Sequence, residues 1–266
     1  MPFQLASKIQ GPVAVIGDVH GHVDKLQAIL EQLSARPDFA QRWIVFIGDF
    51  VDRGPDPKGA LDLFVSLLRQ HPRTTAIAGN HEFAMGGALG WFPVPDYAQW
   101  GERWVDHYDS ETTFSSYSAV EGDLADLAAK VPATHRQILS DLPWVVEHPQ
   151  YLFVHAGLDP NTPFGVQLKI LRQRDFTLNR PQWLCSKSFV EMDPPPDCPV
   201  PVVSGHVKVP NVQIRPKRIL IDTTGGFDGE LSCVLLPEKK IITSAGGAAT
   251  TASGGESSGR SWWKIW

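Results

Sequence analysis

The sequence predicts an α/β fold, and three observations carry that expectation. Three apolar, β-rich runs, Val13-Ala14-Val15-Ile16, Trp43-Ile44-Val45-Phe46-Ile47 and Thr74-Thr75-Ala76-Ile77-Ala78, each end in a short polar cluster. The clusters recur at a constant step, with Asp18, Asp49 and Asn80 spaced 31 residues apart, and roughly 30 residues is the length of one strand–helix–strand unit. The segments between them carry helical stripes: Leu26, Ile29, Leu30 and Leu33 in the first, then Ala60, Leu61, Phe64, Val65 and Leu68 in the second.

The elements follow in order. A helix is expected over 24–33 and another over 57–70, where Pro57 near the start is tolerated because its missing N–H would be unpaired anyway. Residues 85–118 break the rhythm with Gly86-Gly87, Pro93, Pro95, Trp91, Trp100 and Trp104. They read as an insertion over the site, either facing substrate or forming a flap packed by its own tryptophans. A short helix is expected over 134–142, and the run Tyr151-Leu152-Phe153-Val154 leads into His155-Ala156-Gly157. A helix over 166–174 and a proline-rich irregular loop over 181–201 come next, then Pro201-Val202-Val203-Ser204-Gly205 leads into His206. Ile219 to Asp222 and Leu231 to Leu236 read as paired strands of a second sheet with Gly229 near the turn. Residues 1–243 are thus expected to form one catalytic domain. Residues 244–266 turn to Gly, Ala, Ser and Thr and read as a flexible tail. The tail ends in Ser261-Trp262-Trp263-Lys264-Ile265-Trp266, whose tryptophans are expected to pack back on the domain.

Composition narrows the function classes. A chain of 266 residues with 42% hydrophobic content can build one large core. A net charge of −5 advertises no affinity for nucleic acid. No stretch approaches the ~18 apolar residues of a membrane span, and the N-terminus lacks a basic segment followed by a long apolar run. Cys185, Cys198 and Cys233 form no Cys-x-x-Cys pair, so a reducing, cytoplasmic setting is expected. A monomer is expected.

The strand-end residues are hard metal ligands. Asp18 and His20 lie two apart and leave a strand end on the same side. Asp49 can bridge two ions, Asn80 offers a neutral carbonyl oxygen, and His155 and His206 add imidazoles. Open α/β sheets place their sites at such C-terminal strand ends. Mixed oxygen and imidazole donors suit Mn, Fe, Zn or Ni better than Ca. Only Asp18 and Asp49 are anionic among the six, so two divalent ions would keep about two positive charges, a match for a phosphate dianion. The pattern points to two-metal phosphoester hydrolysis.

Gly-Asp-x-His-Gly at 17–21, Gly-Asp-x-Val-Asp-Arg-Gly at 48–54 and Gly-Asn-His-Glu at 79–82 precede the separated His-Ala-Gly and Ser-Gly-His. In that order they resemble the phosphoprotein phosphatases of the calcineurin-like metallophosphoesterase superfamily over about residues 12–242. Asn80 to Ala84, Leu89 to Pro93, Gln167 to Arg172, and Ile221 to Phe227 before Leu236 to Ile242 are similar to its Rhizobiales-like phosphatase subfamily.

The resemblance implies a four-layer α/β/β/α sandwich and two divalent transition metals, Mn foremost, with Fe or Zn as alternatives. It implies a first ion on Asp18, His20 and Asp49 and a second on Asp49, Asn80, His155 and His206, with a bridging hydroxide attacking phosphorus in line. It implies His81 as general acid oriented by Asp52, and Arg53 as phosphate clamp. A second arginine is expected from Arg172, Arg174 and Arg180, and the match through Gln167-Leu168-Lys169-Ile170-Leu171 favours Arg172. The implied substrate is a phosphoprotein or phosphopeptide, with phosphotyrosine preferred over an apolar wall of Trp91, Phe92, Tyr97, Trp100 and Trp104. A dinucleoside polyphosphate hydrolase is the alternative enzyme, and a weakly catalytic phosphopeptide-binding scaffold the alternative of another class. The Ser-Ala-Pro-Asn-Tyr loop of eukaryotic serine/threonine phosphatases is absent, and Asp222 to Phe227 stands in its place.

Overall fold

A computed structural model describes residues 3–246. The chain builds two five-stranded mixed sheets. In the first, β1 (Val13–Ile16), β2 (Trp43–Phe46) and β3 (Thr74–Ala76) run parallel, linked by α1 (Val23–Ser34) and α2 (Pro57–Gln70). The helices start where the sequence expects. Asp56 caps α2 by accepting the Gly59 N–H at 2.8 Å, and Pro57 occupies the first turn.

Beyond β3 the chain is helical: α3 (Asn80–Ala88), α4 (Trp100–His107), α5 (Glu111–Ser116), α6 (Leu124–Lys130) and α7 (Ala133–Asp141). The second sheet then forms from β4 (Val146–His148), β5 (Tyr151–Phe153), β6 (Val202–Ser204), β7 (Gln213–Ile214) and β8 (Arg218–Leu220). Here β5, β6 and β8 are the parallel strands. Helices α8 (Phe164–Gln173) and α9 (Gln182–Cys185) fill the β5–β6 crossover. Finally β9 (Ser232–Leu236) and β10 (Lys240–Thr243) return to the first sheet, beside β1.

Alternation along the strands sorts the core into layers. Val13, Val15, Val45 and Ile47 of the first sheet meet Phe153, Val203, Ile219 and Ile221 of the second. Their neighbours Ala14, Ile16, Ile44 and Phe46 turn the other way and pack with Leu26, Ile29, Leu33 and Phe64 of α1 and α2. Leu152, Val154 and Val202 share that helix-side cluster with Leu171 and Leu184. This is the expected α/β sandwich. Among the described residues no helix is long and apolar enough to cross a membrane.

Two expectations need correction. Leu231 to Leu236 does not pair with Ile219 to Asp222: β9 lies antiparallel to β1, with Val13 opposite Leu236, while β8 stays in the second sheet. Both faces of β9 are buried, so its apolar run suits either sheet, and the intervening loop crosses between them. The aromatic residues of 85–118 do not together form a wall facing the site either, and the stretch is packed by its own tryptophans, the other reading of it. Trp100 and Trp104 are buried, and Phe92 stacks on Phe83 and Phe176, so these rings are core rather than a wall facing the site. The Trp-rich end of the tail lies outside the described residues.

Candidate metal centre

The C-terminal strand ends bring the six expected donors together. Asp18 and His20 follow β1, Asp49 follows β2, Asn80 opens α3 after β3, His155 follows β5 and His206 follows β6. Asp49 Oδ2 lies 3.2 Å from His155 Nε2 and 3.5 Å from His20 Nε2. Asn80 Oδ1 lies 3.1 Å from His155 Nε2 and 2.8 Å from His206 Nδ1. The His206 backbone N–H donates to Asp18 Oδ2 at 2.8 Å, tying the two sheets across the site. All are buried except His206, which is half-buried.

The glycines flanking these residues have a steric cause. A Cβ on Gly79 would stand 2.0 Å from Asp49 Oδ1, and one on Gly205 would stand 1.8 Å from Asp18 Oδ1. The backbone is also strained here, with His20, Asp49, Asp52, Arg53 and His206 at φ of 42, 52, 69, 67 and 70°. Such left-handed conformations of non-glycine residues cost of order 1–3 kcal/mol each and cluster at functional sites.

The donor set fits metal ions. His20 and His155 each donate Nδ1–H to a backbone carbonyl, that of Val51 and of Ile47, both at 2.8 Å. This fixes the tautomer and leaves Nε2 as a lone pair. His155 Nε2 then faces oxygens of Asp49 and Asn80 at 3.2 and 3.1 Å, a position that a cation, proton or metal ion, completes. Among the described residues, Asp18 Oδ1 and His206 Nε2 are buried without a hydrogen-bond partner. Lone pairs converging on buried, unfilled acceptors suit cations. Electrostatics agree: burial pushes Asp18 well above the usual carboxylate range, and the Asp222 charge adds to that. Burial works against ionisation of Asp49 too, yet the imidazoles of His155 and His81 outweigh it and hold Asp49 well below its usual value. His155 is pushed up to about 10, Asp49 overcoming the opposing effect of burial.

His81 stands beside this cluster. Its Nδ1 bonds Asp52 Oδ2 at 2.7 Å and its Nε2 lies 4.0 Å from Asp49 Oδ2. The Trp104 indole N–H donates to the same Asp52 Oδ2 at 2.8 Å, and the Thr113 hydroxyl donates to the far oxygen, Oδ1, at 2.6 Å. Burial nevertheless pushes Asp52 up to about 7. The ring of His20 packs edge-on to the His81 ring at 4.6 Å, and that of Tyr108 does so at 4.9 Å. Glu82 accepts backbone N–H groups of Asp49, Phe50 and Gly79 at 2.8, 2.6 and 2.9 Å, clamping the β2 loop to the start of α3.

Arg53 donates to the Gly225 carbonyl at 3.0 Å and lies 3.4 Å from His20 Nε2. Its guanidinium sits 5.4 Å from the centre of the exposed Phe227 ring. Arg172 is not brought to the cluster. It lies on the exposed face of α8 and forms a two-pronged pair with Glu147 at 2.8 and 2.7 Å. Arg174 is spent on the carbonyls of Ser140 and Leu142. Arg180 is the one of the three whose charge bears on the Tyr108 hydroxyl and on the buried Cys185, a thiol that also feels Asp49.

Sequence reasoning missed the supporting roles of Glu82, Thr113, Trp104 and Tyr108, and it gave Asp222 and Phe227 no part. For Asp222 a signal existed, since an apolar run, Ile219-Leu220-Ile221, ends in it as the others end in Asp18 and His155.

A family model described as calcineurin-like phosphoesterase matches residues 11–223. Among curated relatives, the symmetrical bis(5'-nucleosyl)-tetraphosphatase of Glaesserella parasuis is 27% identical over 64% of this chain and 53% of its own length. Serine/threonine-protein phosphatase SIT4 of Candida albicans is 28% identical over 61% of this chain and 45% of its own. Serine/threonine-protein phosphatase 2 of Escherichia coli is 41% identical over 36% of this chain and 42% of its own. The chain therefore spans about half the length of the curated relatives it matches. Among solved structures, a cold-active protein-tyrosine phosphatase from a Shewanella species superposes with a TM-score of 0.62 at 20% identity, covering 92% of this chain and 82% of that one, a likeness of fold. The chain belongs to the calcineurin-like phosphoesterase family.

Proposed function

We propose that this member of the family is a binuclear metal-dependent phosphatase that hydrolyses phosphomonoesters on proteins, with phosphotyrosine preferred. The single observation that carries the reading is the His81–Asp52 pair at 2.7 Å beside the converging donors. A proton donor poised there is what an ester leaving oxygen needs, and what a pure binding module does not.

Asp18, His20 and Asp49 would hold one ion and Asp49, Asn80, His155 and His206 the other, Mn being the expected metal with Fe or Zn as alternatives. When bound, such ions supply Lewis-acid charge and an activated water. The protein does the rest. Arg53 offers fork geometry to two phosphate oxygens, and Arg180 replaces Arg172 as the second clamp. His81, oriented by Asp52 through Nδ1, would deliver a proton from Nε2 to the departing oxygen from its imidazolium form. Phe227 beside Arg53 offers the exposed aryl surface that the tryptophans do not. The segments noted above support placement near the Rhizobiales-like subfamily, with residues 1–243 as the catalytic domain. Three free, buried cysteines suit a reducing cytoplasm.

The relatives named as tetraphosphatases support a second reading, hydrolysis of a dinucleoside polyphosphate. One panel separates the two: phosphotyrosine, phosphoserine and phosphothreonine peptides of matched sequence against diadenosine tetraphosphate, at defined Mn. The expected result is at least ~10-fold higher kcat/KM on phosphotyrosine, about 1.4 kcal/mol of transition-state preference. Equal cleavage of the peptides sinks the phosphotyrosine preference, and faster cleavage of the dinucleotide sinks the protein-phosphatase reading.

A further inference from the structure

Six parallel strands reach this site, three from each sheet, and each delivers a polar residue just past its end. Five of these ends carry the donors already described. The sixth is β8, which ends at Leu220, and Asp222 stands two residues beyond it. His155 stands in the same position after Phe153, His206 after Ser204 and Asp18 after Ile16. β8 pairs in parallel with β6, Ser204 opposite Leu220, so Asp222 and His206 leave neighbouring strands at the same level.

Asp222 is 1% exposed. Its Oδ1 accepts the backbone N–H groups of Gly225 at 2.8 Å and Thr224 at 3.1 Å. That anchors the loop, and one oxygen suffices for it. Its Oδ2 is buried with no hydrogen-bond partner among the described residues. Two other buried carboxylates beside the site differ, and one does not. Glu82 and Asp52 have donors on both oxygens, whereas Asp18, like Asp222, leaves one oxygen orphaned. A buried unpaired carboxylate oxygen is costly unless a cation, proton or metal ion, compensates it. Nor does Arg53 fill that need, since its Nη1 goes to the Gly225 carbonyl.

We propose that Asp222 is a further, third carboxylate of the metal centre, supporting the ion held on the Asp18–His20 side, against which its loop packs through the Thr224 hydroxyl donating to the Asp18 carbonyl at 3.1 Å. This rests on the two-metal reading above and sharpens it. It brings the anionic charge around the two ions from two to three, leaving a net charge of about one on the loaded centre. It also gives β8 the same job as the five other parallel strands.

Asp222→Asn separates this role from loop anchoring, because an amide oxygen still accepts the two N–H groups while the charge is gone. The experiment is equilibrium titration of the metal-stripped full chain with Mn against a competing chelator, together with thermal melting of the metal-free protein. Wild type is expected to bind two Mn per chain. Asp222→Asn is expected to lose about 10–100-fold in affinity at one of the two, the range for a supporting group of a metal site, with the metal-free melting temperature unchanged or higher. If wild type binds no Mn, the two-metal reading itself fails. If wild type binds two Mn and Asp222→Asn binds both as tightly, the inference about Asp222 is overturned. Weaker Mn binding that comes with a lower metal-free melting temperature overturns it as well, in favour of a loop anchor. Should Asp222→Asn not fold, the same titration on Asp222→Ser, whose hydroxyl can still accept a loop N–H, carries the same expectations.

Discussion

The first sheet buries charge at both ends, and the two ends are built on opposite terms. At the N-terminal end of β1 and β2, Arg42 is 2% exposed and every arm is used. It donates to the carbonyls of Val13 and Leu236 at 3.0 and 3.1 Å, to Glu238 at 2.7 Å and to Asp38 at 2.5 Å. At the C-terminal end, where the second sheet's strand ends join it, Asp18 Oδ1 and the second sheet's Asp222 Oδ2 have no partner among the described residues, and His155 Nε2 faces Asp49 Oδ2 at 3.2 Å. A buried charge that serves stability is saturated by its neighbours. One that serves chemistry is left with capacity for something the chain does not supply. Backbone conformation leans the same way, with His20, Asp49, Asp52, Arg53 and His206 left-handed at the second end and Lys239 beside Glu238 at the first.

The comparison breaks most visibly at Asp49, the donor proposed to be shared by both ions. Asp49→Asn is expected to lose binuclear occupancy and about 10⁴-fold or more in kcat, since the Lewis-acid contribution is several kcal/mol. Metal analysis run beside the kinetics decides it. Two ions bound with normal turnover would remove Asp49 from the shared position.

His81→Asn should slow turnover by about 10²–10⁴-fold, the range for a lost general acid, and leave both ions in place. The loss should shrink for aryl phosphates whose leaving groups have low pKa and need less protonation. A uniform loss across such a series counts against His81 as the acid.

The saturated end responds differently. Arg42→Met should cost about 3 kcal/mol of stability, the low end for removing one partner of a buried ion pair. It falls at the low end because Asp38 and Glu238 are 34% and 46% exposed and rehydrate. At temperatures where the variant is folded, kcat should be unchanged. A lower kcat in the folded variant would mean the two ends are coupled.

These two ends were unequally legible in the sequence. The chemical end stood out because its residue types repeat at the strand period of the fold, and the structure gathers Asp18, His20, Asp49, Asn80, His155 and His206 as that spacing suggests. What the sequence hid was direction. Arg172, Arg174 and Arg180 lie within one short stretch, and only the facing of α8 sends the first to Glu147. Trp100 and Trp104 advertise apolar area without saying which way it turns, and they turn inward. β9 has two buried faces, so its pattern names no partner strand. Asp222 was overlooked because a lone Asp before Thr-Thr-Gly-Gly reads as a turn residue, which it also is. Arg42 carried no signal, since an arginine beside a strand is normally a surface residue.

The smallest expected effect refines the account of the saturated end. Hydrogen bonds from Arg36 and Arg42 hold the Asp38 carboxyl at about 2, against about 3.9 in an unfolded chain. A carboxyl whose pKa is depressed by folding adds stability above its unfolded value, and that addition is lost as pH falls toward its folded value. Because Asp38 is 34% exposed, solvent screening cuts the gain to about 0.5–1 kcal/mol. Asp38→Asn should therefore be less stable than wild type by that amount at pH 6. The gap should begin to close below pH 4 and narrow further toward pH 2. Urea unfolding of both proteins at pH 6, 4 and 3 reads it directly. All other carboxylates are common to both proteins, so their titration cancels in the difference. A gap that stays constant from pH 6 to 3 would assign the role of Asp38 to packing or to its neutral hydrogen bonds rather than to its charge.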